Sequence, residues 1–148
     1  MSKQVRDVED VAEIIKVLNG GIEFYQDALT KIETPNVRSM FSRMIEEKQQ
    51  AIASLQPFAI AEKGEVESGT STAVDLRNMY TNVLGMFSSD KAHTYVDELE
   101  EVEDKVLEVM DKALEEDQPA ACAAELRRIR ARMQQCHDEM KALQEATS

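Results

Sequence analysis

"MFSRMIEEKQQAIASL", Met40 to Leu55, is the stretch that decides how this chain folds. Phe41, Met44, Ala51 and Leu55 recur at the spacing of one face of a helix with 3.6 residues per turn. The position that completes the pattern between Met44 and Ala51 is Lys48, a charge in the middle of an inward stripe. Extended both ways, the stripe reads Val37, Phe41, Met44, Lys48, Ala51, Leu55, Phe58, so the segment is a long amphipathic helix with one cation on its apolar side.

Three more stripes of the same kind flank it. Val8, Val11, Ile15, Leu18, Ile22, Tyr25, Leu29 and Ile32 alternate spacings of three and four. So do Cys122, Leu126, Ile129, Met133, Cys136, Met140 and Leu143 near the end of the chain. The remaining stripe is Val96, Leu99, Glu103, Val106, Met110 and Ala113, and it too contains a charge, Glu103. No period-two alternation appears anywhere. Four such faces define an all-α helical bundle.

Punctuation sets the boundaries. Asp7 is placed to cap a first helix that runs to about Glu33. Thr34-Pro35 is an N-cap followed by proline at the first helical position, and the second helix runs to about Ala61. "EKGEVESGTS" reads as a loop, and a shorter helix is expected from about Thr72 to Phe87. Ser88-Ser89-Asp90 precedes a helix to about Glu116; Asp117, Gln118 and Pro119 open the last helix, which ends near Glu145. Short turns make two antiparallel hairpins, and the crossover between them, about 62–89, is long. The expectation is one domain spanning 1–148; an extended two-hairpin coiled coil is the competing architecture.

Composition excludes several function classes. The chain has 148 residues, 43% hydrophobic and 31% charged, enough for a buried core. A net charge of −12 opposes binding to nucleic acid. No apolar run approaches the ~20 residues of a membrane span, and no signal segment opens the chain, so a cytoplasmic location is expected. Cys122 and Cys136 are fourteen residues apart on one helix, roughly 21 Å. That is too far for a disulfide, and reduced core thiols are expected. The methionine spacing fits a core and not a copper site.

Depth along each helix brings the unusual residues together. Lys48 lies fourteen residues after Thr34, and Glu103 fourteen before Asp117. Leu18, Ala51, Gln134 and His137 lie sixteen to twenty residues from their own tips. At 1.5 Å per residue all fall about 21–30 Å from the tips, at one level near mid-bundle.

Here a family resemblance becomes specific. "NGGIEFYQDALTKIETPNVRSMFSRMIEEKQQAIASL" resembles the first hairpin of rubrerythrin-related ferritin-like proteins. "SGTS…MFSSDKAHTYVDELEEVEDKVLEVMDKALEEDQP…CHDEMKAL" resembles an uncharacterised bacterial family of ferritin-like four-helix bundles. The resemblance implies a ferritin-like fold and raises the question of a di-iron centre. Its ligand positions fall on Leu18 in the first helix, Lys48 and Ala51 in the second, Glu103 in the third long helix, and Gln134 and His137 in the last. Leu18, Lys48 and Ala51 cannot ligate, so no metal is favoured there. A one-residue shift offers Glu23, Glu47 and Gln50, with Glu103, Gln134 and His137, as an alternative iron or divalent-metal set, but moves part of it off the apolar stripe.

Each residue also has a plain reading. Glu47, Glu100 and Glu101 stand in acidic runs that ordinarily face water. His93 and His137 read as exposed or simply hydrogen-bonded. "RRIRARM" reads as pairing with the acidic "EDKVLEVMD" of the neighbouring helix. Lys48 and Glu103 differ, because their stripes put them inside, and a buried lone charge costs several kcal/mol unless paired. The Lys48 ammonium is expected within salt-bridge reach of Glu103 or another inward carboxylate, with Gln134 or His137 completing the hydrogen bonds. No phosphate loop, nucleophile elbow or Cys-x-x-Cys appears, and no catalytic residue is assigned. Three function classes remain: a scaffold without a working di-iron centre that acts through a protein partner or a homo-oligomer, in a binding or stress-related role; a metal-binding redox or iron-handling protein with an unusual Glu/Gln/His set; and a bundle that takes a small molecule.

Overall fold

The computed structural model describes residues 8–69 and 92–147. Among them every regular element is a helix: α1 (Val11–Leu29), α2 (Pro35–Lys63), α3 (Ala92–Glu115) and α4 (Ala120–Thr147). The short helix expected near 72–87 lies outside the described residues, as does Asp7. No described helix is long and apolar enough to cross a membrane.

The helix ends follow local chemistry, with one correction. α1 starts at Val11, and the residue in its cap position is Asp10, in the left-handed region at φ 65° with no capping bond from its own side chain. The cap comes from another helix: Glu62 of α2 accepts from the backbone N–H groups of Asp10 at 3.2 Å and Ala12 at 2.8 Å. A carboxylate there also complements the positive end of the helix dipole. α1 ends at Leu29, short of Glu33, and Arg38 donates to the free carbonyls of Leu29 and of Ile32, the latter at 2.8 Å. α2 opens on Thr34-Pro35 and closes on Gly64 at φ 87°, the left-handed position that favours glycine. Pro57 sits inside α2 on its exposed side.

The stripes become the core. Val11, Ile15, Leu18, Tyr25, Val37, Phe41, Met44, Leu55, Leu99, Val106, Met110, Cys122, Leu126, Ile129, Cys136 and Met140 are all buried. α1 is buried well beyond its stripe, with Ala12, Ile14, Val17, Phe24 and Ala28 also inside. At the end of α2 the inward position is Ala59, and Phe58 is only partly covered.

α1 packs on α2 and α3 on α4, while α2 also meets α4 and α1 meets α3. This ring puts α2 diagonally opposite α3. Gln118, in the α3–α4 turn, exchanges hydrogen bonds with the backbone of Glu9 at 3.0 and 2.6 Å, which puts that turn beside the start of α1 and the end of α2. The two hairpin turns therefore lie at opposite ends of the bundle, and α2 and α3 run in the same direction. Residues 64–69 turn back toward the middle of α1: Asn19 donates to the Gly69 carbonyl at 2.9 Å, and Gln56 brackets Glu67.

Candidate functional site

Three helices meet in a charged cluster inside the bundle. Lys48 of α2 is fully buried and Glu103 of α3 nearly so, and Nζ donates to Oε1 at 2.9 Å. Because α2 and α3 are diagonal partners, this bond crosses the interior. The second carboxylate oxygen, Oε2, accepts the hydroxyl of Tyr25 from α1 at 2.6 Å, the short contact expected of a charge-assisted bond. The Tyr25 ring packs against both Phe24 and Phe41, with each ring centroid 5.1 Å away. Its centroid lies 5.9 Å from Nζ, at the outer reach of a cation–π contact.

This arrangement corrects the expected partners. Tyr25, and neither Gln134 nor His137, shares Glu103 with Lys48. Gln134 is half-buried and bonds Arg130 and Asp138 along its own helix. His137 is buried, but it faces Asp104 and Glu100 of α3. The reason is azimuth. Gln134 and His137 each follow an inward residue, Met133 and Cys136, so their side chains leave α4 about 100° from the core direction. Tyr25 was hidden in the sequence because its ring fits an apolar stripe; the only signal was its hydroxyl, at a depth where two facing stripes carry charges.

The shifted ligand set does not converge. Glu23 and Gln50 are exposed. Glu47 is buried, contrary to the solvated-face reading, because Arg132 of α4 grips it bidentately at 2.8 and 2.7 Å, and Arg43 stands 3.5 Å away. The Arg132 hydrogen bonds hold the Glu47 carboxyl below the ordinary glutamate range. Arg43 also pairs with Glu139 at 2.7 Å, so four side chains tie α2 to α4. The cleft beside them, bordered by Gln50, Ser54 and Arg128, is about 50 Å³, room for water and not for an organic ligand. Of the basic run, Arg130 pairs with Asp111 of α3 as expected; Arg132 takes Glu47 instead, and Arg128 bonds Glu125 and Ser54.

Among the described residues no three His, Cys, Asp or Glu side chains already stand together as metal ligands. Both cysteines are buried free thiols, and burial pushes each up to about 11.

Among the described residues, fold and site together define an all-α bundle of four helices with an ion pair across its interior. The chain belongs to the family described as Domain of unknown function (DUF2383), whose profile matches residues 7–116. No curated protein and no solved structure matches it. The matched span contains Tyr25, Lys48 and Glu103, whereas Arg132 and His137 lie beyond it, on α4.

Proposed function

We propose that this chain is a ferritin-like bundle in which an internal ion pair replaces the di-iron centre, and that it serves as a binding or stress-related scaffold. The observation that carries the reading is the Lys48 ammonium, fully buried and 2.9 Å from Glu103, at the level where the resemblance puts iron. A tethered cation there neutralises the one carboxylate of the expected ligand set and repels a metal ion. Leu18 and Ala51, both buried, bring no ligand atoms to that level. What remains for function is the surface, strongly acidic overall, which suits a protein partner or a second copy of the chain and not nucleic acid.

The test is ferrous iron added to protein purified without chelator, followed by elemental analysis and by the ultraviolet band of oxidised iron. The expected result is no two-iron centre. Two irons per chain, lost on Glu47→Gln or Glu103→Gln, would restore the redox reading.

A further inference from the structure

We propose a second, mononuclear site for a divalent transition metal at the seam of α3 and α4, formed by His137, Asp104 and Glu100 and separate from the lysine-filled centre. Glu100 and Asp104 are one turn apart and share a face of α3; His137 reaches them from α4. The His137 side chain is 10% exposed, so its ring nitrogens need partners. Nδ1 has one in Asp138 Oδ1 at 3.2 Å, an oxygen that also accepts from Gln134 at 3.0 Å. A carboxylate on one ring nitrogen fixes the tautomer and turns the other nitrogen's lone pair toward a metal, the support that histidine ligands commonly have.

Nε2 is the one buried side-chain nitrogen or oxygen among the described residues with no hydrogen bond. It nevertheless lies 2.9 Å from Asp104 Oδ1 and 3.9 Å from Glu100 Oε1. A buried ring nitrogen beside two carboxylates calls for a proton or a metal ion to offset their charge. A second ring proton shared with Asp104 would serve, but Nε2 makes no hydrogen bond in the structure. Two atoms bound at right angles to one ion, with bonds of about 2.1 Å, are about 3.0 Å apart and lie off each other's lone-pair axes. The Asp104–His137 contact has that length. Glu100 completes the set by swinging inward, and water takes the remaining positions. Asp104 is more than half exposed, which leaves an entry path. One imidazole with two carboxylates suits zinc, ferrous iron or manganese better than calcium or magnesium.

Cobalt(II) titration of the full chain, followed by calorimetry and visible absorption, tests the site. One ion per chain is expected. Asp138→Asn should weaken binding about 10–100-fold, as loss of a supporting carboxylate does. His137→Gln should abolish saturable binding, and the exposed Glu23→Gln should leave it unchanged. Because a variant can fail by unfolding, the parent chain is also read directly. With only two histidines, nitrogen-15 NMR separates His137 from His93, and zinc should move the Nε2 resonance of His137 alone. A doubly protonated His137 ring that ignores zinc at about pH 7.5, or cobalt bound equally well by His137→Gln, would overturn the proposal.

Discussion

At the scale of single residues, the interior pair is held by mutual need. An ammonium with no water around it is stable only while a carboxylate faces it, and the carboxylate has the same requirement. Removing one partner leaves the other charge uncompensated, so Lys48→Met should lower the unfolding free energy by about 3–5 kcal/mol in urea titration. Lys48→Met combined with Glu103→Leu should recover most of that loss, since apolar replacement of both members of a buried pair is often neutral. A single variant that melts like the parent would mean that the pair is not coupled in this way. Tyr25→Phe keeps the ring against Phe24 and Phe41 and removes the hydroxyl that bonds Glu103. It should cost about 1.5–3 kcal/mol, the usual range for a hydrogen bond to a charged group. Lys48 and Glu103 could be found in the sequence because each interrupts a regular stripe. Tyr25 could not, because a tyrosine on a stripe looks like any other core aromatic until its hydroxyl is seen to bond.

At the scale of elements, spacing along the chain reports two coordinates of a side chain and omits a third. It gives depth along the helix axis and the inward or outward face, which is why the four stripes, the Thr34-Pro35 start of α2 and the level of the Lys48–Glu103 pair were legible. It does not say which helix lies beside which edge of a stripe. Glu47 shows the consequence: one position from Lys48, in an acidic run, it read as solvated, yet it is buried because α4 brings Arg132 to that edge. The cap on α1 was hidden for the same reason, since Glu62 comes from the far end of α2. The Glu47–Arg132 contact gives the α2–α4 seam a defined response to acid. The carboxyl's folded value lies below its unfolded one, so its contribution is complete above the unfolded value and disappears as pH falls through the folded value. The stability difference between the parent and Glu47→Gln should therefore be present at neutral pH and shrink only below about pH 4.5, the ordinary value for this group. Denaturant melts of both proteins between about pH 7 and pH 3 would check it; a difference that stays constant across this range would remove the ion pair as its cause.

At the scale of the whole molecule, the family match and the folding unit do not have the same extent. The matched residues, 7–116, hold the central ion pair and three of the four described helices, and they stop just before α4. Physically the bundle cannot stop there. α4 contributes Cys122, Leu126, Ile129, Met133, Cys136 and Met140 to the core, and it packs on both α2 and α3. Without it, inward faces of both helices would meet water, at roughly 25 cal/mol for each Å² of apolar surface exposed. Glu47 would lose Arg132, and a chain cut at Glu116 would also lack Gln118, which bonds the backbone of Glu9 and the α3 carbonyl of Ala113. Lys48 and Glu103 sit across the bundle from each other, so opening the α4 side would bring water toward both and weaken the reason for their pairing. A chain ending at Glu116 should therefore keep helical circular dichroism but lose the sharp thermal transition of the full chain, with exposed apolar surface detectable by a hydrophobic dye. If the truncated chain instead melts cooperatively near the parent temperature and stays monomeric, α4 is an addition to a core that is already complete, and the buried pair owes nothing to it.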